Sequence, residues 1–419
     1  MVTMKVQARA SISEAGGLVA CAALVFAMLF ALLLLVATQP AQAQTFTVLH
    51  KFAGQAGGTL PPAGVVVNAR GNLYGVTEYG GSFNFGTVFK VDPNGRETVF
   101  HSFSGGDGLW PAAPLIWGTN GKLYSTTVDG GTPEGGRCKH GCGTVFALDQ
   151  AGKETVLYAF KGGSDGGNPS AGLVRDGDGN LYGTTTSGGD TSCYVGGCGV
   201  VFKLDKNRRQ TVLYRFTDHI DGKLPEGLIR DGAGNLYGTT YDGGTSGHGA
   251  VFKLSQTGKL TVLYSFTGGS DSGDPKGLFI RDRSGNLYGT TYGVGSQDYG
   301  VVFKLNTSNK LTVLYSFTGG ADGEYPDSLL PDKSGNLYGT TLVGGTGSGC
   351  YYGSCGTVFK LNTNNSKTVL HSFTGADGEL PNGLIMDGFG NLYGTTFGGG
   401  KGVACSAYHG CGTVFKLSP

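Results

Sequence analysis

The sequence is poor in charge, and neither sign prevails. Charged residues make up 15% of the 419 residues, with 31 Lys and Arg against 30 Asp and Glu, so the formal net charge is +1. Globular domains average about 25% charged residues, and proteins that bind nucleic acid are more basic than this one. The composition therefore excludes a polyanion-binding protein, and we expect no nucleic-acid partner.

The sequence also lacks the patterns that usually accompany a high glycine content. Glycine contributes 79 residues and proline 14, which is close to the composition of low-complexity chains. No Gly-X-Y period runs through the chain, so a collagen is excluded. A hydrophobic fraction of 39% with 11% aromatic residues can bury a core, which excludes disorder. This glycine-rich chain is therefore expected to fold.

The first 43 residues resemble a secretory signal peptide. Lys5 and Arg9 precede an uncharged apolar run at residues 18–37, and Ala41 and Ala43 supply the small residues of a cleavage site. An uncleaved membrane anchor is the alternative, because about 20 apolar residues can span a bilayer. In both cases we expect residues 44–419 to be exported, either secreted or held in the periplasm or cell envelope. Contact with a membrane is expected only if the segment stays uncleaved.

Three short motifs each recur seven times in residues 44–419. They are Leu-Tyr followed by Gly or Ser, Val-Phe preceded by a small residue or Val, and Thr-Val-x-x-x-Phe. Such self-similarity indicates a repeat architecture of seven units without a linker or second domain. The tyrosines of the first motif lie 50 to 58 residues apart, at Tyr74, Tyr124, Tyr182, Tyr237, Tyr288, Tyr338 and Tyr393.

Each unit contains four short apolar runs of strand length, separated by Gly, Asp, Asn and Pro. In the fourth unit they are residues 211–216 (strand d), 227–230 (a), 235–240 (b) and 250–254 (c). The a-to-b and c-to-d links have tight-turn chemistry, so the unit is an antiparallel meander. Only a ring of such sheets buries both faces of each. The sequence therefore predicts an all-β protein, a seven-bladed β-propeller of four-stranded antiparallel blades, with a β-solenoid as the alternative.

The two ends of the repeat region are complementary. The region opens with a strand d at residues 46–52 and closes with a strand c at residues 413–417, and each lacks its hairpin partner. If c pairs with the d that follows it, the first strand docks on the last. This pairing predicts a ring closed by strands from both termini, which also covers two exposed edges.

Three segments carry a resemblance to a known family. Gly-Asn-Leu-Tyr-Gly-Thr-Thr at 234–240, Thr-Val-Leu-Tyr-Ser-Phe at 261–266 and Gly-Thr-Val-Phe-Lys-Leu at 356–361 resemble the GloVer tandem repeats of exported bacterial proteins. The resemblance covers all of residues 44–419 and implies export and a propeller-like repeat. It implies no activity, because the family has no established catalytic residues.

Eight of the nine cysteines form four local pairs, each in a predicted b-to-c loop. An even number of cysteines in an exported chain favours disulfides, each worth about 2 kcal/mol for so short a loop. Zinc is the alternative, with His140 and His409 nearby, but the spacing varies between pairs and fits zinc poorly. We expect no metal and no cofactor. The predicted disulfides are Cys138 with Cys142, Cys193 with Cys198, Cys350 with Cys355, and Cys405 with Cys411.

An aspartate stands four residues before a proline in six of the seven d-to-a loops, and Gly57 replaces it in the first. The carboxylates could ring one face and bind cations or polar ligands, or each could stabilise its own turn. Recurrence in nearly every blade favours the turn, because a site usually breaks the symmetry of its scaffold. The aspartates are Asp107, Asp165, Asp221, Asp271, Asp322 and Asp377.

The d-to-a and b-to-c loops share one face, and this loop face carries most of the sequence variation. We expect a non-enzymatic exported propeller that binds an extracellular glycan or protein there, with exposed aromatic residues as flat anchors. The alternative is a hydrolase or lyase acting on extracellular polysaccharide, which an asymmetric carboxylate pair in a pocket would favour. The candidate ligand-binding residues on this face are Trp110, Tyr325, Tyr194, Tyr351, Tyr352 and Tyr408.

A second candidate site lies on the opposite face. Arg175, Arg230 and Arg281 close strand a in three successive units, and each is followed by an aspartate. The arginines could pair with these turn aspartates in solvent, where such pairs are worth only ~0–1 kcal/mol. If they instead converge on the channel, they could bind the carboxylate or sulfate of an acidic ligand.

Overall fold

The computed structural model describes residues 44–131, 138–190, 193, 196–293, 298–400, 405 and 410–419. Thr45–Ser418 form one compact unit, and the predicted signal peptide lies outside the described residues. Within the described residues the secondary structure consists of strands and three short 3-10 turns, at Gln55–Gly57, Thr119–Gly121 and Gly320–Asp322. No helix in this part of the chain is long and apolar enough to cross a membrane.

The strands form seven antiparallel four-stranded sheets, which confirms the predicted propeller. We number the blades along the chain and call the strands of each a, b, c and d. Blades 1 to 3 contain β2 (Val66–Val67), β3 (Leu73–Thr77), β4 (Thr87–Val91) and β5 (Glu97–Ser102); β6 (Ile116–Trp117), β7 (Leu123–Thr127), β8 (Thr144–Leu148) and β9 (Glu154–Ala159); and β10 (Val174–Arg175), β11 (Leu181–Thr185), β12 (Val200–Leu204) and β13 (Gln210–Arg215).

The remaining blades have longer first strands. Blades 4 to 7 contain β14 (Lys223–Arg230), β15 (Leu236–Asp242), β16 (Ala250–Leu254) and β17 (Leu260–Ser265); β18 (Pro275–Arg281), β19 (Leu287–Thr291), β20 (Val301–Leu305) and β21 (Leu311–Ser316); β22 (Glu324–Pro331), β23 (Leu337–Val343), β24 (Thr357–Leu361) and β25 (Lys367–Ser372); and β26 (Glu379–Met386), β27 (Leu392–Gly398), β28 (Thr413–Ser418) and β1 (Thr45–Lys51).

Blade 7 takes its outer strand from the start of the repeat region. β1 pairs antiparallel with β28, with Phe46 opposite Leu417 and Lys51 opposite Thr413. The predicted closure by strands from both termini is therefore confirmed.

A glycine in strand b accounts for part of the repeated motif. A Cβ atom on Gly75 would lie 2.4 Å from the tip of the Phe89 ring in strand c of the same blade, so any side chain at Gly75 would require that ring to move. Blades 3 to 7 have the same arrangement, and in blade 2 Ser125 takes the position and its Oγ donates to the Ala113 carbonyl at 3.0 Å. The Leu-Tyr-Gly motif is thus a packing requirement.

The phenylalanine rings that pack against these glycines also contact the neighbouring blade. Phe103 follows strand d of blade 1 and packs edge-on against Phe146 in strand c of blade 2, with ring centroids 5.1 Å apart. The same T-shaped contact recurs at all seven interfaces, with centroid distances of 5.0 to 5.3 Å. Aromatic pairs of this geometry are worth about 0.5–1.5 kcal/mol beyond the area they bury.

The recurring aspartates hold the d-to-a loops, as the structural interpretation expected. Asp165 accepts a hydrogen bond from the Tyr158 hydroxyl at 2.9 Å and another from the Lys161 N–H at 3.0 Å. In two of the six pairs a histidine replaces the tyrosine, and His101 Nε2 donates to Asp107 at 2.9 Å. Equivalent pairs occur at Tyr214 with Asp221, Tyr264 with Asp271, Tyr315 with Asp322, and His371 with Asp377.

In the first loop a carboxylate from another strand takes the place of the recurring aspartate. Gly57 replaces the aspartate, and Glu97 Oε2 of strand d in blade 1 lies 3.1 Å from His50 Nε2. The Glu97 carboxylate occupies the space that a side chain at position 57 would need, since a Cβ there would lie 2.9 Å from its Oε2.

Glu154 is a carboxyl group in an unfavourable environment. Burial raises its pKa to about 7, with the negative charge of Asp107 adding to the shift and His101 opposing it. Its Oε1 is buried without a hydrogen-bond partner among the described residues. In blade 3 the equivalent residue is Gln210, whose amide donates to the Asp165 carbonyl at 3.0 Å.

We predict that Glu154→Gln removes a pH-dependent loss of stability. Folded Glu154 keeps its proton up to about pH 7, whereas the unfolded chain releases it near the ordinary value of 4.5. The free energy of unfolding therefore falls as pH rises between these values. The variant should be more stable than the parent by about 1–3 kcal/mol at pH ~8 and nearly equal at pH ~4. Urea unfolding across this range is the measurement, and parallel pH profiles for both proteins would contradict the prediction.

We predict that deleting residues 45–52 opens the ring. The deletion removes the partner of β28 and the Phe52 ring that packs on Phe89, and it exposes an unpaired strand edge that favours association. The milder variant Phe52→Ala keeps the strand and should cost about 3–5 kcal/mol. Thermal melting and light scattering are the measurements. A truncated protein that stays monomeric with an unchanged Tm would contradict the arrangement.

Candidate functional site

The predicted disulfides help to build the loop face. All four are present, each within one b-to-c loop: Cys138–Cys142, Cys193–Cys198, Cys350–Cys355 and Cys405–Cys411. The carbonyl of the second cysteine accepts a hydrogen bond from the next blade, for example from the Asn168 N–H to Cys142 at 2.7 Å. In the three blades without a disulfide, Phe85, His248 and Tyr299 supply the same carbonyl.

The residue that donates this hydrogen bond has the same unusual backbone in every blade. It precedes the recurring proline, which lies before strand a in blades 1 to 3 and within the first residues of strand a in blades 4 to 7. Its φ lies between 53° and 57°, a left-handed conformation that L-residues other than Asn and Asp rarely adopt. Because the conformation recurs in all seven blades, it belongs to the architecture. Two predicted ligand-binding residues occupy it, and the full set is Leu60, Trp110, Asn168, Leu224, Asp274, Tyr325 and Leu380.

The residue after that proline breaks the symmetry of the ring. The first strands of neighbouring blades approach closely, since a Cβ on Gly64 would lie 2.8 Å from the Gly383 carbonyl oxygen. Charged side chains occur at the position in three successive blades only. Around the ring the residues are Pro62, Ala112, Ser170, Glu226, Lys276, Asp327 and Asn382.

β-Bulges direct two of these side chains. The pairing of β14 with β15 shifts register between Pro225 and Leu228, and that of β22 with β23 shifts between Pro326 and Leu329. Glu226 and Asp327 therefore lie in the unpaired part of their strands. Bulges commonly re-aim side chains next to functional sites.

The three charges interact across the blades. Burial raises the pKa of Glu226, the positive charge of Lys276 opposes the shift, and the negative charge of Asp327 adds to it. Burial also raises the pKa of Asp327, against the effects of Lys276 and a hydrogen bond from the Gly383 backbone. No salt bridge joins Lys276 to either carboxylate in the described part of the chain.

Tyrosines surround this charged cluster. The Lys276 ammonium lies 4.8 Å from the centre of the Tyr292 ring, and Tyr325 stacks on Tyr292 with centroids 5.5 Å apart and an interplanar angle of 14°. Burial is the main cause of a raised Tyr292 pKa, and Asp327, Tyr241, Glu226 and Tyr352 add to it. We call Glu226, Tyr241, Lys276, Tyr292, Tyr325, Asp327 and Tyr352 the blade 4–6 site.

The predicted aromatic residues separate into two regions. Tyr325 and Tyr352 belong to the blade 4–6 site, and Tyr351 packs edge-on against Tyr352 with centroids 4.9 Å apart. Tyr351 and Tyr352 remain 53% and 63% exposed, so both are available to a ligand. Trp110 lies elsewhere on the loop face, beside Tyr79 and His140. Tyr194 and Tyr408 lie outside the described residues.

Two of the three arginines contact the preceding blade on the opposite face. The Arg230 guanidinium lies 5.7 Å from the centre of the Tyr182 ring of the preceding blade. Against the effect of burial, hydrogen bonds from Asn180 and Tyr182 lower the pKa of Asp176 there, and the charge of Arg230 adds to the lowering. Arg281 repeats this arrangement 5.5 Å from the Tyr237 ring, whereas Trp117 fills the equivalent position against Tyr74 at 5.4 Å. Arg175 closes β10 on the same face. Anion binding by these arginines stays a prediction.

Sequence reasoning missed Glu226, Lys276 and Asp327, although the signal was present. Each directly follows the recurring proline of strand a, and comparison of the seven units at that position isolates three charged residues. Tyr241 and Tyr292 give the same signal, because each follows the Thr-Thr of strand b in its blade. Both positions needed to be recognised as neighbours in the folded ring.

Solved structures of similar fold have little sequence in common with this chain. A streptogramin B lyase (13% identity, TM-score 0.58) aligns over 90% of this chain and 97% of its own. A catalytically inactive virginiamycin B lyase from Staphylococcus aureus (12%, TM-score 0.59) aligns over 90% and 99%. The extracellular domain of a hybrid two-component system from B. thetaiotaomicron (12%, TM-score 0.55) aligns over 90% of this chain and 41% of that protein. Identities this low show the fold alone.

Sequence comparison agrees with the resemblance seen in the repeats. No curated protein matches the sequence. The family model of the Gloeobacter/Verrucomicrobia repeat matches residues 35–227, 130–279 and 226–419. The chain therefore belongs to the Gloeobacter/Verrucomicrobia repeat family.

Proposed function

We propose that this protein is exported and binds an extracellular carbohydrate at the blade 4–6 site. The observation that carries the proposal is the near-parallel pair of Tyr292 and Tyr325 beside Glu226, Lys276 and Asp327, three charges that interact at the channel mouth. Export is supported by the apolar segment at residues 18–37 and by the four disulfides, which persist in oxidising compartments.

The chemistry of the site suits a sugar better than a protein surface. A pyranose presents a flat face of C–H groups that can pack on an aromatic ring, and its hydroxyls donate well to carboxylates. A small-molecule site typically combines apolar rings with a few convergent polar groups. Tyr292 and Tyr325 supply the rings, and Glu226 and Asp327 supply the acceptors.

We predict that Tyr325→Asn weakens carbohydrate binding without damaging the fold. The equivalent residue in blade 3 is Asn168 with φ of 54°, and asparagine tolerates this conformation. Loss of a central aromatic anchor should cost about 1–2 kcal/mol or more, which corresponds to at least a roughly tenfold weaker affinity. A glycan-array screen followed by calorimetry on the best ligand is the measurement.

The matched control is Phe389→Ser. Phe389 is 89% exposed in an a-to-b turn on the opposite face, and serine occupies the equivalent position at Ser284 and Ser334. The control should bind like the parent. Equal affinities for the parent, Tyr325→Asn and the control, or no binding to any glycan, would overturn the proposal.

A hydrolase or lyase acting on extracellular polysaccharide is the second candidate, and the Glu226–Asp327 pair favours it. A carboxyl group with a raised pKa can hold a proton for a leaving oxygen, while a second carboxylate acts as base or nucleophile. Burial raises the pKa of both Glu226 and Asp327, and Lys276 opposes both shifts, so either carboxyl group can serve as the acid. The lyase activity of structurally similar propellers belongs to those proteins, so this candidate rests on these residues alone.

We predict that any polysaccharide cleavage by this protein is lost in Glu226→Gln. General acid–base catalysis contributes about 10²–10⁴-fold to rate, so product release should fall at least a hundredfold while carbohydrate binding is retained. Reducing ends and unsaturated products are measured separately, to distinguish hydrolysis from elimination. Glu78→Gln is the control, because burial also raises the pKa of this loop-face carboxyl. A parent protein that releases no product would remove the second candidate.

A further inference from the structure

We infer that the ligand of the blade 4–6 site carries a protonated amine, which makes amino sugars and their oligomers the expected substrate class. The inference rests on the proposed carbohydrate-binding function and narrows it. Three features of the site support it: an excess of carboxylates, a cation already held by one tyrosine ring, and a partly buried acid without a hydrogen-bond partner among the described residues.

Carboxylates outnumber cations around the tyrosines. After burial, the raised pKa of Tyr241 has three further causes, the negative charges of Asp274, Glu226 and Asp242. Those of Glu324 and Asp298 reach Tyr325.

The cations that could balance these charges are few. The ammonium of Lys223 lies 3.0 Å from Asp218 and 3.4 Å from Asp242, so its charge is already shared between two carboxylates. Among the charges that act on Glu226 and Asp327, Lys276 is the positive one. The charges that act on this site are therefore mostly negative, which favours a cationic ligand.

The aromatic part of the site already holds one cation. Lys276 sits over the Tyr292 ring at 4.8 Å, the geometry by which ammonium groups bind aromatic faces. In the described part of the chain no Lys or Arg packs on Tyr325, the ring stacked against Tyr292. Tyr325 therefore offers a second aromatic surface to a ligand cation, between Glu324 and Asp298.

Glu226 provides the acceptor within the channel. Burial is the main cause of its raised pKa, and within the described residues its carboxylate makes no hydrogen bond or salt bridge. An ammonium group placed beside Glu226 would supply both a positive charge and N–H donors. Neutral hydroxyl or acetamido groups would leave the charge uncompensated.

The distribution of these carboxylates favours an amine over a metal ion. A divalent cation needs several ligands converging at one point, and no group of three His, Cys, Asp or Glu side chains in the described residues could hold one. The acids are instead spread along the tyrosine surface, which suits an extended ligand with amino groups on successive rings.

The test compares three oligosaccharides of equal length by calorimetry at slightly acidic pH. They are an oligomer of glucosamine, its fully N-acetylated form and a glucose oligomer with the same linkage. We expect the glucosamine oligomer to bind at least about tenfold more tightly, as one charge-assisted hydrogen bond warrants. Its affinity should fall with added salt, because exposed charges are screened.

Two variants distinguish the contribution of charge to the binding affinity from that of aromatic stacking. Glu226→Gln alters an acceptor that all three ligands use, so it should weaken each of them and also abolish the preference for the amine. Tyr325→Asn should weaken binding of all three and keep the preference. Asp178→Asn removes the same charge from an exposed turn on the opposite face and should change nothing. Melting temperatures verify that each variant is folded.

Each alternative result has a distinct meaning. Equal binding of the three oligosaccharides, or an amine preference that survives in Glu226→Gln, would overturn the amine inference and leave carbohydrate binding intact. Failure of all three to bind would overturn both. Saturable calcium binding that Glu226→Gln removes would replace the amine with a metal ion and also overturn the inference.

Discussion

Seven times around the ring, a phenylalanine that follows the outer strand of one blade packs edge-on against a phenylalanine in strand c of the next. In the pair Phe103 and Phe146 both rings are fully buried, and the rings are 5.1 Å apart. The contact demands a glycine or serine in strand b, as at Gly75, to leave room for the ring. Because its centroid distance varies only from 5.0 to 5.3 Å, it holds neighbouring blades at a nearly constant spacing around the ring.

Because this framework repeats, contacts that recur in nearly every blade belong to the fold. Residues that occur in only a few blades are therefore the ones that point to function. The Tyr158–Asp165 hydrogen bond holds a loop in the same way as its counterparts. Even the substitution at Gly57 is compensated locally, by Glu97 against His50. The charges at Glu226, Lys276 and Asp327 have no counterpart in the other blades, and nothing in the framework requires them. Such departures from symmetry mark where a scaffold carries function.

The sequence predicted the blades, the ring closure and the four disulfides, because each depends on spacing that a repeat makes visible. It did not identify Glu226 or Asp327, since which way a residue at the start of strand a points depends on a left-handed backbone and a bulge. The sequence likewise did not decide whether the Arg230 side chain points to solvent or to the channel. The tyrosine ring on which Arg230 packs belongs to the preceding blade, and no motif within one unit specifies a contact between units.

The backbone shares the asymmetry of the blade 4–6 site. In blades 1 to 3 strand a is only two residues long, as at Val66–Val67, whereas in blades 4 and 6 it extends over eight residues, at Lys223–Arg230 and Glu324–Pro331. The longer strands place paired β-structure on both sides of Glu226 and Asp327, which themselves lie at the bulges. Sites on regular elements hold their geometry better than sites on loops. Blades 5 and 7 also have long inner strands, so the charged residues of blades 4 to 6 lie in the part of the ring where regular β-structure flanks this position and can hold it for a ligand.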